Sequence, residues 1–233
     1  MDVQSKKYFM KLISKEIESK YGKKILFDVK LANYSWFNLG GPSEVLFKPD
    51  NIEDIIFFFK NVKPKKIIIL GAGSNTLIRD GGVKGIAIKL GSQFSYLNLL
   101  SPNIIEAGAA TLDKKIADFA LENSLTGLEF LACIPGSIGG AIRMNSGCYG
   151  ENISQILHSI NVIDIFGNKK EILASDIKFH YRKSNLDQDL IITSVKLKGK
   201  VFSKQLIQNK QQALIKKKKN SQPSQIKTCG STF

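Results

Sequence analysis

Leu70-Gly71-Ala72-Gly73-Ser74-Asn75-Thr76-Leu77 and Ile134-Pro135-Gly136-Ser137-Ile138-Gly139-Gly140-Ala141 are the two stretches that decide this fold, the latter running on into Met144-Asn145-Ser146-Gly147. The first follows Lys66–Leu70, a short β-branched apolar run ended by glycine, which reads as a buried strand. Glycines let the backbone approach a ligand closely, and their N–H groups, with serine hydroxyls and helix starts, bind a pyrophosphate without a positive side chain. The spacing is not that of the dinucleotide fingerprint GxGxxG, because the third glycine would fall at Thr76. No GK[ST] follows, so it is not a P-loop either. Taken alone, Gly71-x-Gly73 reads equally well as a tight turn. A further glycine bend, Asn38-Leu39-Gly40-Gly41-Pro42, lies upstream.

Working outward, Tyr8, Phe9, Leu12, Ile13 and Ile17 recur at helical spacing and predict an amphipathic helix over 5–20. Asn51 reads as the N-cap of a helix over 52–61 carrying Ile55, Ile56, Phe58 and Phe59. Strands are expected at Gly85–Leu90, Asn103–Ala107, Ile160–Ile165, Lys170–Leu173 and Leu190–Leu197, with Gly167-Asn168 as a turn. Leu112–Leu125 and 203–219 read as helices, and Pro223 breaks the second. The class is α+β or α/β, with glycine-dense connections in the first 150 residues.

The chain has 233 residues, 43% of them apolar, enough for one large domain or two modest ones. Its longest apolar runs are too short to cross a bilayer, and its N-terminus lacks a signal-peptide stretch, so a cytoplasmic protein without membrane contact is expected. Cys133, Cys148 and Cys229 form no CxxC pair, and with only His158 and His180 no metal centre is expected. The net charge is +14, yet of 34 basic residues only Arg79, Arg143 and Arg182 are arginines. A nucleic-acid reader would use arginine forks and aromatics interleaved with the basic residues, and neither pattern is present, so no nucleic-acid partner is expected. Lys216-Lys217-Lys218-Lys219 reads as a solvated helix end rather than a phosphate contact.

Together, LGAGSNTLI, IPGSIGGAIRMNSGCYG and the Asn38–Pro42 turn resemble the signature of the UDP-N-acetylenolpyruvoylglucosamine reductase family. The likeness runs from about Asn33 to the C-terminus. It implies an α+β fold of two subdomains clasping FAD, of the PCMH/vanillyl-alcohol-oxidase type, over residues 32–200, with 1–31 as lead-in. It implies NADPH-dependent reduction of UDP-N-acetylglucosamine enolpyruvate to UDP-N-acetylmuramate in cell-wall precursor synthesis, by a monomer. Gly71, Ala72, Gly73, Ser74, Asn75 and Thr76 are then expected at the cofactor, and Pro135, Gly136, Ser137 and Gly140 along its other side. Ile134 packs near the flavin in this reading, Asn145 stays close to it, and Ser137 opens a helix whose free N–H groups face a phosphate. Arg143 is given cofactor or packing duty.

The same resemblance supplies the catalytic candidates. His180-Tyr181-Arg182-Lys183-Ser184 is similar to the family's YRxS motif, and the planar fork of Arg182 suits a substrate carboxylate. Gly230-Ser231-Thr232-Phe233 is similar to the family's GSxFKNP segment as far as Phe, which makes Ser231 the proton donor. The Arg182–Ser231 spacing matches the family's shorter class. That family continues past its serine to a glutamate that this sequence lacks. A C-terminally truncated member is therefore expected, 201–233 being the start of a substrate domain. Its apolar positions Leu206, Ile207, Leu214 and Ile215 should face water, and the chain should bind FAD yet turn substrate over weakly or not at all. The alternative is an FAD oxidoreductase of the same fold with another substrate. It would show a His or Cys placed for covalent flavin attachment, and neither histidine lies in a glycine loop.

Overall fold

The computed structural model describes residues 15–64 and 66–222. Two α/β units share one wall. In the first, β1 (Ile25–Lys30), β2 (Pro42–Phe47), β3 (Ile67–Ile69) and β4 (Val83–Ile88) form a sheet in the order β1-β2-β4-β3. β1 runs antiparallel to β2, whereas β2 and β3 both run parallel to β4. Strands of this kind are covered on both faces and read as continuous apolar runs, and Val45-Leu46-Phe47 and Ile86-Ala87-Ile88 are buried throughout. Val45, Phe47, Ile86 and Ile88 meet α1 (Lys15–Tyr21) and α2 (Ile52–Val62) through Ile17, Tyr21, Ile55, Phe58 and Phe59. Leu46 and Ala87 turn to Leu31, Leu70 and Ile78 on the opposite face. The Phe47 and Phe58 rings stack with centroids 4.0 Å apart. Asn51 caps α2 as expected, its Oδ1 accepting the Asp54 N–H at 2.8 Å, a bond worth about 1 kcal/mol.

The second unit is an antiparallel sheet of β5 (Leu97–Ser101), β6 (Ile104–Gly108), β7 (Leu157–Ile163), β8 (Lys169–Leu173) and β9 (Ile191–Lys198), in the order β8-β7-β9-β6-β5. The β7–β8 turn falls at the expected place: Gly167 has φ +85°, and Asp164 Oδ1 accepts the N–H groups of Phe166 and Asn168 at 2.9 Å each. α3 (Asp113–Glu122), a 3₁₀ turn at Glu129–Cys133, and α4 (Ile138–Arg143) lie on one face of this sheet. Ile116, Leu128, Phe130, Leu131, Ile138 and Ile142 pack there against Ile105, Val162, Val195 and Leu197. Ile163 and Ile191 join the core of the first unit instead, which is how the two units are held together.

Two expectations are corrected and one falls partly outside the described residues. The helix read over Leu112–Leu125 stops at Glu122, because Ser124 takes φ +58° and Leu125-Thr126 pairs with Lys200-Val201 as a small strand. Residues 5–14 of the first helix lie outside the described residues. The last helix, α5 (Lys204–Ser221), does not turn its whole apolar stripe to water. Ile207 is 1% exposed and Leu214 packs on the second core, while Leu206 is 53% exposed and Ile215 half-buried. Polar contacts reinforce the docking. Gln211 donates to Asp118 at 2.8 Å, and Lys210 reaches Glu151 at 2.7 Å and Glu129 at 3.3 Å. Burial pushes the Glu129 carboxyl up, but the Thr126 hydroxyl, backbone N–H groups and Lys210 outweigh it and hold it below the usual range.

Candidate functional site

The second and third glycine segments meet beyond the C-terminal ends of β3 and β4, where open α/β sheets commonly hold ligands. They touch closely: a Cβ added at Gly71 would stand 2.9 Å from Ser137 Oγ. The first bend does not face the same space. The bend and the residues leading into it brace the second from behind, with Trp36 N–H on the Gly73 carbonyl at 3.1 Å, Ser35 Oγ on the Thr76 carbonyl at 3.2 Å and Gly41 N–H on the Arg79 carbonyl at 3.0 Å. Gly73 is required by this brace. It has φ +78°, and a Cβ there would lie 2.1 Å from the Tyr34 oxygen.

Between the segments is a cavity of about 280 Å³. Its wall is formed by Gly71 and Ala72, by the stretch Lys89–Ser92 with Ser95, by Ala109, Ala110 and Leu112, and by Ser137, Gly139, Gly140 and Arg143. Of the residues expected at the cofactor, Gly71, Ala72, Ser137 and Gly140 line it. Gly73, Ser74, Asn75, Thr76, Ile134, Pro135 and Gly136 stand outside that wall, in the turns that carry it. Asn145, with φ +41°, donates to the His180 carbonyl at 3.2 Å and accepts from Ser154 N–H at 3.1 Å, so here it joins loops.

One expectation about electrostatics is corrected. The opening of α4 is partly taken up by protein: Ile138 N–H donates to the Thr111 carbonyl and Gly139 N–H to the Ala109 carbonyl, each at 3.0 Å. A helix of six residues with two of its first amides taken presents little of the positive end that an anion would seek.

Two charged residues the sequence reading passed over are placed here. Lys89 lines the cavity and its Nζ donates to the Gly71 carbonyl at 2.7 Å. Burial, with Lys48 adding repulsion, pulls its ammonium below the usual lysine range. Asp113 is fully buried at the start of α3, and neither carboxylate oxygen has a hydrogen-bond partner among the described residues. Burial raises its carboxyl well above the ordinary range. Lys89 was legible only as one of many lysines, and Asp113 only as an acidic first-turn residue. Neither residue type marks burial.

Arg143 lines the cavity but spends its guanidinium on the loop before β9, donating to the carbonyls of Leu186, Asp187 (2.9 Å) and Leu190. Arg182 sits in a two-residue turn between the paired stretches Phe179–His180 and Lys183–Ser184. Its φ is +53°, its guanidinium donates to the Gly147 carbonyl at 3.0 Å, and it lies 5.2 Å from the Tyr181 ring centroid. Ser184 Oγ donates to the Arg143 carbonyl at 3.0 Å. The exposed arginine is thus hung beside the third glycine segment by several bonds. Ser231 lies outside the described residues. The lysine cluster is partly anchored, with Lys217 Nζ 4.6 Å from the Tyr149 ring centroid and Lys218 Nζ donating to the Cys133 carbonyl. The Cys148 thiol, pushed up to about 12 by burial and by neighbouring Cys133, stays protonated. Among the described residues no group of three or more His, Cys, Asp or Glu is placed to hold a metal ion. No helix among them is long and apolar enough to cross a membrane.

A wall of small residues, apolar flanks and one cation without a carboxylate partner among the described residues fits an elongated ligand with flat rings and an anionic centre, which is the chemistry of FAD. Comparison with known proteins agrees. The family model for an FAD binding domain matches residues 43–169. The chain is 49% identical over 221 residues to the UDP-N-acetylenolpyruvoylglucosamine reductase of Pelagibacter ubique (strain HTCC1062), covering 94% of this chain and 72% of that one. It is 43% identical over 208 residues to the enzyme of that name from Orientia tsutsugamushi (strain Boryong), covering 88% and 69%. The crystal structure of the Thermus caldophilus UDP-N-acetylenolpyruvylglucosamine reductase superposes with a TM-score of 0.78 at 30% identity, over 88% of this chain and 73% of that one. Sequence, fold and cavity converge, and the chain belongs to the UDP-N-acetylenolpyruvoylglucosamine reductase family.

Proposed function

We propose that this chain binds FAD between its two α/β units and, with NADPH as reductant, reduces UDP-N-acetylglucosamine enolpyruvate to UDP-N-acetylmuramate for peptidoglycan synthesis. The observation that carries the reading is the meeting of Gly71 and Ser137 across a cavity walled by small residues and Lys89. When bound, the flavin supplies hydride transfer from the nicotinamide to the substrate double bond. The protein's part is to hold the rings and the substrate in register, to stabilise charge and to place a proton.

Arg182 is proposed as the cation that pairs with the substrate carboxylate, where negative charge grows as hydride is added to the double bond. Its bond to the Gly147 carbonyl and its place in the turn fix the fork beside the third glycine segment. Ser231 is proposed as the proton donor to the adjacent carbon, with a neighbouring cation or water offsetting its poor acidity. The division into a lead-in over 1–31, a cofactor-binding unit over 32–200 and a substrate-domain start over 201–233 belongs to the same reading. So do a monomeric state and a cytoplasmic location.

The experiment is direct. The purified 233-residue chain is expected to be yellow, or to become so with added FAD, and its reduced flavin is expected to be reoxidised only slowly by UDP-N-acetylglucosamine enolpyruvate. A folded chain that stays colourless and takes up no flavin ends the reading. Bound flavin that ignores that substrate but is reoxidised by a different acceptor would make it an oxidoreductase with another one.

A further inference from the structure

The cavity carries a charge that the expected amide-only recognition does not use. Of the residues lining it, Lys89 and Arg143 are the charged ones. Arg143 is committed to the carbonyls of Leu186, Asp187 and Leu190. Lys89 is different: its ammonium makes one hydrogen bond among the described residues, to the Gly71 carbonyl at 2.7 Å, and no carboxylate among them forms an ion pair with it. An ammonium has three donors, so two remain for a ligand. A half-buried cation with no counter-charge is costly unless an anion completes it. Meanwhile the first two amides of α4, part of the other source of positive potential, are occupied by the Thr111 and Ala109 carbonyls. The Gly71 carbonyl that receives Lys89 belongs to the segment that crosses Ser137, so the ammonium is held where the two loops meet.

Building on the flavin reading above, we infer that Lys89 is the counter-charge for the diphosphate of the dinucleotide cofactor, tethered by the Gly71 carbonyl so that its remaining N–H donors face the cavity. The site therefore selects a flavin bearing phosphate over the bare isoalloxazine-ribityl unit by charge as well as by backbone shape. Lys89 is a binding residue here, and its contribution resides in affinity rather than in the hydride step.

The test measures dissociation constants of the apo chain for FAD and for riboflavin, by flavin fluorescence, in wild type, Lys89→Arg, Lys89→Gln and Lys89→Met. Glutamine keeps a donor for the Gly71 carbonyl but removes the charge, so it separates the counter-charge from the tether. Losing a charge-assisted pair to phosphate predicts FAD binding weaker by about 10- to 100-fold in Lys89→Gln and Lys89→Met. Riboflavin binding should be unchanged, and Lys89→Arg should stay near wild type for both ligands. Unaltered FAD affinity in Lys89→Gln overturns the inference, and so does an equal loss for FAD and riboflavin, which would make Lys89 a tie for the loop alone. Thermal melting of each apo variant identifies any that fail to fold; Lys89→Arg and Lys89→Gln keep the comparison valid if Lys89→Met is one. A wild-type chain that binds neither ligand would refute the flavin site itself, an outcome distinct from failure at Lys89.

Discussion

Asp113 Oδ2 lies 2.8 Å from the point at which a side chain on Gly136 would begin, so the third glycine segment is draped directly over a buried carboxyl that has no donor among the described residues. Burial holds that carboxyl protonated well above the ordinary aspartate range. A group with a raised folded pKa gives stability that is complete below its unfolded value, about 3.9, and that is lost as pH rises through the folded value. Wild type should therefore lose melting temperature relative to Asp113→Asn as pH is raised from about 4 upward. Parallel melting curves of the two proteins check this, and a constant difference across that range would mean that Asp113 is ionised in the fold.

Gly71→Ala should weaken FAD binding by about tenfold or more, the equivalent of about 1.4 kcal/mol, because the new methyl would stand 2.9 Å from Ser137 Oγ at the crossing of the loops. Among the described residues that oxygen alone lies within 4 Å of the new methyl, so the apo chain should melt near the wild-type temperature. Fluorescence titration and thermal melting read the two effects separately.

The packing of α5 separates two neighbours. Ile207→Ala should cost about 2–5 kcal/mol, the usual range for emptying a buried aliphatic site, since Ile207 is 1% exposed. Leu206→Ala, at a position 53% exposed, should stay within about 0.5 kcal/mol. Denaturant unfolding of both variants checks the pair, and equal small effects would mean that the helix is not docked in solution.

Arg182→Lys should lower the rate of substrate-dependent flavin reoxidation by about 100-fold or more, as loss of a single transition-state charge partner commonly does, while leaving flavin content and melting temperature near wild type. Lysine keeps the charge but loses the fork that pairs with a carboxylate and with the Gly147 carbonyl together. Stopped-flow reoxidation against flavin content in the same preparation distinguishes a substrate role from a folding one.

Much of this was legible in the chain itself. Strand and helix positions followed from β-branched runs, from Asn51 before Ile55-Ile56 and from Gly167-Asn168, all of which act locally. The adjacency of Gly71 and Ser137 came from family resemblance rather than spacing, since 66 positions separate them. What stayed hidden depends on tertiary partners. The early end of α3 needs the pairing of Leu125-Thr126 with Lys200-Val201. The partial closing of the α4 opening needs the Thr111 and Ala109 carbonyls. Lys89 and Asp113 gain their character from burial, which no neighbour in sequence announces. Ile207 looked exposed because the elements that α5 packs on, the 3₁₀ turn at Glu129–Cys133 and α3, lie 74 to 94 positions earlier in the chain.

The order β8-β7-β9-β6-β5 has a consequence for biosynthesis. β9 is the last of these strands to leave the ribosome, yet it fills the middle of the sheet, between β6 and β7. Until Ile191–Lys198 emerges, the nascent polypeptide holds two hairpins with open inner edges and an unclosed apolar interior. Such unpaired edges invite pairing with other chains, and this half of the molecule closes its sheet only when its last strand slots between the two hairpins.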